Sequence, residues 1–217
     1  MEKIKNENVN DLGDNTLELQ IPVDIATLQL PDPSLLMYYK NLKDRVLWID
    51  RDIDASLLEE CKQIIRWNSE DKDIPVENRK KIIMVIQSYG GSLDSTFAML
   101  DVMALSKTPI ITVNINTAMS AGCLIFINGH ERYCTKMSTA LIHQGSGGMQ
   151  GTYSQVEAQQ KNYKIIIKMM EDNIFSHTKI SSQVYGKHKK DDWYLYAEDQ
   201  IKYGLADKII DNINDIF

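Results

Sequence analysis

Apolar residues follow two patterns along the chain: continuous runs, which predict strands, and a spacing of three or four positions, which predicts helices. Residues 81–88 and 109–115 are nearly continuous apolar runs, which predicts strands buried on both faces of a sheet. Residues 54–70, 92–106 and about 153–177 carry apolar side chains every three or four positions, which predicts amphipathic helices. Strands that alternate with helices of this length predict βαβ units, so the expected class is α/β with a mostly parallel sheet and flanking helices.

Shorter segments complete the predicted order of elements. Further strands are predicted over 44–49, 131–136, 139–144 and 205–210, and further helices over 120–129 and 197–204. Charged residues predict surface loops over 69–80 and between the long helix and the helix that starts at 197. Residues 1–16 are polar, and the alternating apolar positions of 16–30 predict a strand or hairpin arm that Pro22 confines to a sheet edge.

Length and charge narrow the class of protein. The 217 residues suit one α/β domain with an arm, and the formal net charge of −6 argues against a nucleic-acid-binding surface. No apolar run reaches the roughly 18–20 residues that cross a bilayer, and the polar N-terminus lacks a signal-peptide core, so we expect a cytoplasmic protein without membrane insertion. The cysteines and histidines lack metal-ligand spacing, so we expect neither a metal nor a cofactor.

Two strand-to-helix junctions carry the candidate chemistry. In parallel sheets, ligands collect at the carboxyl ends of strands, and two such ends fall at QSYGGS (87–92) and NTAMSAG (116–122). Backbone N–H groups are free where each following helix begins, so two such turns side by side could hold an oxyanion. Gly90 and Gly91 permit close backbone approach in the first turn. Ser120, in the second turn, is the candidate nucleophile.

A serine nucleophile needs a base, and the base needs an acid that orients it. His143 ends an apolar strand and precedes a glycine-rich turn, while Asp191 and Asp192 come shortly before the last helix. Taken alone, Ser120 is equally well explained as a helix N-cap, and His143 is better explained as a histidine in the core. Their joint order, serine then histidine then aspartate, favours a catalytic set.

Four segments together resemble the ClpP-type serine peptidases, the proteolytic subunits of Clp proteases. They are SYGGS (88–92), AMSAG (118–122), IHQGSGG (142–148) and AEDQIKYGLADKII (197–210). The resemblance runs over most of the chain and implies the ClpP/crotonase-type ββα superhelix, with a protruding strand-and-helix handle at about 144–177. It also implies a peptidase domain over 38–217, preceded by a variable N-terminal arm over 1–37.

Carried over position by position, the resemblance makes Ser120 the nucleophile, His143 the general base and Asp192 the acid. The backbone N–H groups of Gly90 and Ala121 would form the oxyanion hole. Members of this family assemble as stacked heptameric rings around a chamber, into which an ATP-driven AAA+ unfoldase threads polypeptides. The implied function is a serine endopeptidase that degrades unfolded polypeptides in a homo-oligomeric ring. The sequence has no GxxxxGK[ST] phosphate loop, so ATP would belong to the unfoldase.

Several residues depart from the family pattern and leave alternatives open. Trp193 stands where many members have an arginine that pairs across the ring interface, and Tyr89 stands where the family turn has a proline. The alternatives are a specialised peptidase of this clan that processes phage or membrane proteins, a crotonase-type acyl-CoA enzyme, and a ring subunit without activity. Cys123 and Cys134 lie in apolar segments, where core packing explains their thiols better than catalysis does.

Overall fold

A computed structural model describes residues 32–216 of the chain. The polar segment 1–16 and the strand predicted over 16–30 lie outside the described residues, as does most of the arm 1–37. From Tyr38 onward the chain forms one compact unit. Within the described range, no helix combines the length and the apolar character that a membrane span needs.

Helices and strands alternate through most of this unit. The helices are α1 (Pro33–Asp44), α2 (Leu58–Glu70), α3 (Leu93–Leu105), α4 (Ala121–Ile127), α5 (Tyr153–His177), α6 (Ser182–His188) and α7 (Ala197–Lys202). The strands are β1 (Val46–Ile49), β2 (Ile82–Ser88), β3 (Ile110–Met119), β4 (Glu131–Thr135), β5 (Thr139–Ile142), β6 (Trp193–Tyr196) and β7 (Lys208–Ile210). The predicted βαβ order is therefore confirmed.

The sheet is parallel except at one pair of strands. Its main path runs β1-β2-β3-β4-β7, while β5 pairs with β3 and β6 pairs antiparallel with β5. The long strand β3 pairs with β4 through 111–114 and with β5 through 117–119. The sheet therefore forks along β3: the carboxyl end of β3 lies beside β5, and β6 lies on the other side of β5.

Both faces of the central strand β2 are buried, as its continuous apolar run predicts. Ile82, Met84 and Ile86 belong to the large apolar core that includes side chains of α2, α3 and α4. The alternate residues Ile83 and Val85 belong to a smaller apolar cluster on the other face. Each such side chain contributes about 1.5–3 kcal/mol when fully buried, so the strands that end at the candidate site are held from both sides.

The segment 69–80, which the sequence predicts as a surface loop, contains the buried carboxylate of an ion pair with Arg45. The Asp71 side chain is 3% exposed and accepts two hydrogen bonds from the guanidinium of Arg45, at 2.5 and 2.7 Å. Asp71 also accepts a hydrogen bond from Thr108 Oγ1 at 2.9 Å. The pKa of Asp71 is lowered, mainly because its carboxylate accepts hydrogen bonds from Arg45. The buried carboxylate of Asp71 therefore holds this loop against the rest of the fold.

Three features differ from the sequence prediction. The segment between α5 and α7, predicted as a charged loop, contains α6 and β6. The strand β3 continues to Met119, although its prediction stops at 115. The predicted handle has its helix, α5, but residues 143–152 form no strand. The sequence pattern does not indicate α6 and β6, because a seven-residue helix and a four-residue strand among charged residues contain too few apolar positions to show a periodicity.

Candidate active site

Ser120 lies at the sharp turn between β3 and α4. Its backbone has φ 53° and ψ −121°, a conformation that residues with a side chain rarely adopt, and strain of this kind costs on the order of 1–3 kcal/mol. A hydrogen bond of 2.9 Å from the Ser120 N–H to the Leu141 carbonyl ties the turn to β5. Ser120 occupies the N-cap position of α4, yet its side chain makes no capping hydrogen bond. Its hydroxyl is therefore free for another partner.

That partner is the imidazole of His143, which follows the last residue of β5. His143 Nε2 lies 2.8 Å from Ser120 Oγ, which is within the reach of proton transfer. The strands β3 and β5 run parallel, with Met119 opposite Leu141. The serine and the histidine leave their strands one and two residues beyond this pair. The register of the sheet thus brings the two side chains together.

Asp192 lies at the other nitrogen of the imidazole. Its Oδ1 is 3.2 Å from His143 Nδ1, and its side chain is 57% exposed. The strands β5 and β6 are antiparallel, with Ile142 opposite Trp193, so the next step of the same register sets His143 opposite Asp192. Asp191, which the sequence leaves open as the acid, forms no ion pair with the described residues. The geometry therefore groups Ser120 and His143 with the second of the two aspartates.

In the two turns that meet at Ser120, two backbone N–H groups have no acceptor among the described residues. They belong to Ala121, the first residue of α4, and to Gly91, which lines the cleft in front of Ser120. The sequence predicts Gly90 and Ala121 as the donors of the oxyanion hole. However, the Gly90 N–H donates to Ser88 Oγ at 3.2 Å. Gly91 is therefore better placed than Gly90 to donate to a ligand.

Gly90 instead allows the two turns to touch. Its φ is +105°, and a Cβ atom built on it would lie 2.7 Å from Ser120 Cβ and 2.8 Å from the carbonyl oxygen of Met119. Distances this short are well inside van der Waals contact. The turn after β2 therefore supports the turn that carries Ser120, and only glycine fits between them.

A cleft of about 190 Å³ opens beside Ser120 and His143. Its wall is largely apolar, formed by α4, the last turns of α5 and the end of β5. The apolar lining residues are Leu93, Leu124, Leu141, Ile142, Met170 and Ile174. Ligand sites for drug-sized molecules measure roughly 300–1,000 Å³, so this cleft is sized for one side chain of a longer substrate.

The thiols near the site are poor nucleophiles. Burial raises the pKa of Cys123 to about 12 and that of Cys134 to about 11. A thiol reacts as its thiolate, which is scarce at neutral pH when the pKa is this high. Both cysteines are packed in the apolar core, in agreement with the packing role expected from sequence.

A family model described as Clp protease matches residues 34–213. The chain belongs to the Clp protease family. It is similar to the ATP-dependent Clp protease proteolytic subunit of Deinococcus radiodurans, with 26% identity over 194 residues that cover 88% of this chain and 92% of the relative. These matches confirm the family and the fold class predicted from sequence. As a member of the Clp protease family, the protein is a peptidase.

Two features of this Clp protease family member were not predicted from its sequence. One is the free N–H of Gly91, since either glycine of the pair could serve until Ser88 is known to accept from the first. The other is the apolar cleft, whose wall combines residues that are far apart in the chain. No sequence signal marks the first, because Gly91 precedes the N-cap Ser92 and so is not one of the N–H groups left unpaired at the start of α3.

Proposed function

We propose that this protein is a serine endopeptidase with Ser120 as nucleophile, His143 as general base and Asp192 as the acid that orients the base. One observation carries the proposal: the imidazole of His143 lies 2.8 Å from the Ser120 hydroxyl on one side and 3.2 Å from the Asp192 carboxylate on the other. This is the arrangement of groups that acyl transfer by a serine requires.

The chemistry proceeds in two halves. His143 Nε2 takes the proton of the Ser120 hydroxyl while Oγ attacks the carbonyl carbon of the scissile peptide. The protonated imidazole then gives this proton to the leaving amine, which leaves an acyl-serine. A water molecule attacks the acyl group with the same imidazole as base, and the product acid departs. The Asp192 carboxylate, 3.2 Å from Nδ1, faces the Nδ1–H side of the imidazole throughout, which favours this tautomer and stabilises the imidazolium by its charge.

The negative oxygen of each tetrahedral intermediate is bound by the N–H groups of Gly91 and Ala121 in this proposal. Both groups lack another acceptor among the described residues, so the intermediate does not compete with an internal hydrogen bond. The N-terminus of α4 adds the positive end of its peptide dipoles. Each such donor typically accounts for 10²–10³ in kcat, so the two amides together provide much of the catalysis.

The cleft favours an apolar residue on the acyl side of the scissile bond. Leu124, Met170 and Ile174 contribute to its wall, and a charged side chain placed there would lose hydration without gaining a partner. The same size argues against a bulky acyl-CoA thioester as substrate. We expect hydrolysis after leucine or methionine to exceed hydrolysis after lysine or glutamate.

A Ser120→Ala variant tests the nucleophile. A fluorogenic peptide with an apolar residue before the leaving group should be hydrolysed at least about 10³-fold more slowly, and labelling by a fluorophosphonate should be lost. Ser181 is a matched control, since it caps α6 through its own hydroxyl. Ser181→Ala should lower the free energy of unfolding by about 1 kcal/mol and keep activity. Wild-type protein that resists the fluorophosphonate would favour a crotonase-type or inactive protein.

Ring assembly, a partner unfoldase and a cytoplasmic location belong to the same proposal. Their support is the family membership and the name of the relative, which describes the proteolytic subunit of an ATP-dependent protease. Light scattering on the purified protein tests assembly: a mass of seven or fourteen subunits supports a chamber for unfolded polypeptides. A monomer that retains full activity would contradict it.

A further inference from the structure

The acid of the proposed triad has little support of its own. The Asp192 side chain is 57% exposed, and its one ion pair with a described residue is the contact to His143. Exposed charged pairs are weak, because water and salt screen them. A contact of this kind does not hold a carboxylate in place. The position of Asp192 must therefore be set by the chain on either side of it.

An aromatic stack joins the two ends of the segment that carries Asp192. The rings of His188 and Trp193 are stacked, with their centroids 4.2 Å apart and an angle of 11° between the ring planes. On its other side, Trp193 packs edge-on against Tyr203, with 5.1 Å between the centroids and an angle of 75°. We call His188, Trp193 and Tyr203 the aromatic clamp. Both contacts lie in the range of favourable aromatic pairs.

The clamp closes a short loop. His188 is the last residue of α6 and Trp193 is the first residue of β6, so the stack fixes both ends of 189–192. Inside this loop, the Lys189 N–H bonds to the carbonyl of Tyr185 and the Asp191 N–H bonds to the carbonyl of His188. Asp192 is the last residue of the loop and has the clamp residue Trp193 as its neighbour.

Trp193 is not among the residues that line the cleft. Neighbouring residues of an extended chain point to opposite faces, and Trp193 packs against the large apolar core rather than lining the cleft. Its effect on the reaction therefore has to pass through Asp192. It is not placed to touch a substrate.

We propose that Trp193, stacked on His188, is a positioning residue that holds Asp192 against His143. This inference rests on the proposed serine-peptidase function and extends it. The carboxylate of Asp192 has few contacts of its own, so its position depends on the backbone. The clamp fixes that backbone, because the indole of Trp193 is held between the rings of His188 and Tyr203. Loss of the indole frees the loop 189–192, and Asp192 then leaves the imidazole for part of the time.

Variants of Trp193 test the inference in the full-length protein with a fluorogenic peptide. Trp193→Ala should lower kcat by roughly 10–100-fold with KM nearly unchanged, since displacements of about 1 Å in a site cost up to 10². Trp193→Phe, which keeps a ring for the stack, should recover most of the activity. Trp48 is exposed on β1, so Trp48→Ala controls for the loss of a tryptophan and should retain activity.

A second arm separates positioning from general loss of structure. When Asp192→Asn already removes the carboxylate, adding Trp193→Ala should change kcat by less than about twofold, because coupled residues are not additive. A clamp that only stabilises the fold would lower kcat equally in both backgrounds, and that result would overturn the inference. The acidic limb of the pH profile of kcat/KM should also move to lower pH in Trp193→Ala, as in Asp192→Asn.

The outcomes also separate this inference from the function on which it rests. If Ser120→Ala or Asp192→Asn leaves hydrolysis unchanged, the serine-peptidase proposal itself is wrong. If both are slow but Trp193→Ala retains the wild-type rate and pH profile, the triad stands and the positioning role of the clamp is refuted. His188→Ala, compared with His188→Phe, should repeat the pattern of the Trp193 variants with a smaller effect.

Discussion

Substitution of Gly90 by alanine should disable the site without unfolding the protein. The new Cβ would lie 2.7 Å from Ser120 Cβ and 3.1 Å from the Ala121 nitrogen. Carbon atoms in good contact are about 3.5–4.0 Å apart, so one of the two turns must retreat by roughly 0.8 Å or more. The φ of +105° adds strain of about 1–3 kcal/mol, and overpacking adds about 1–3 kcal/mol.

The total of about 2–6 kcal/mol is below the stability of many domains, which is about 5–15 kcal/mol. We therefore expect a folded Gly90→Ala variant with a lower urea midpoint and a kcat reduced by roughly 10²-fold. The assays are urea unfolding followed by circular dichroism, and hydrolysis of the fluorogenic peptide. Gly186→Ala is the matched control, since a Cβ built there meets no atom within 4 Å. A Gly90→Ala variant with wild-type kcat and midpoint would refute the claim that the two turns are in contact.

Four further predictions concern buried groups. Arg45→Ala should lower the free energy of unfolding by about 3 kcal/mol, because it leaves the Asp71 carboxylate buried without its charged partner. The ion pair lowers the pKa of Asp71. Its contribution to the free energy of unfolding is therefore fully present above the ordinary carboxylate pKa and is lost as pH falls through the lowered value. Asp71→Asn should therefore flatten the acid side of a stability–pH curve. Cys123 should resist iodoacetamide at neutral pH in native protein and react in denaturant, because burial raises its pKa to about 12. Tyr185→Phe should leave the free energy of unfolding in urea unchanged or raise it by about 1 kcal/mol, since the buried hydroxyl has no acceptor among the described residues. A lower free energy of unfolding would contradict this prediction, because it would mean that the hydroxyl has a hydrogen-bond partner.

The long and strongly periodic elements of the fold are predictable from sequence. The helix α5 matches its predicted range, and the continuous apolar run of β2 predicts a strand buried on both faces. The segment containing α6 and β6 is not predictable in this way. In β6, two of the four side chains are exposed tyrosines, and among the described strands β6 pairs with β5 alone. Its pairing decides its conformation, and no local pattern indicates that pairing.

For the candidate site, the sequence points to candidate residues but not to their contacts. The order of Ser120, His143 and Asp192 is visible in the chain, and so is the glycine pair before α3. Which glycine N–H is free depends on the hydroxyl of Ser88, which accepts from Gly90. That hydrogen bond joins neighbours in sequence, yet a serine beside a turn has many possible partners. The choice between the two amides therefore needs coordinates.

The way the strands are joined explains how three distant residues meet. The proposed nucleophile is held by a parallel pair, with Met119 opposite Leu141, while the proposed base and acid are held by an antiparallel pair, with Ile142 opposite Trp193. The strand β5 belongs to both pairs, so it aligns the two halves of the site. A slip of one residue in either pair turns the side chains to the opposite face, which would separate the imidazole from the hydroxyl or from the carboxylate. The buried strand β3 resists the first slip, but β6 has only four residues and one partner strand within residues 32–216. The second register is therefore the weaker one, and the stacking of Trp193 at the first position of β6 acts where the site most needs support.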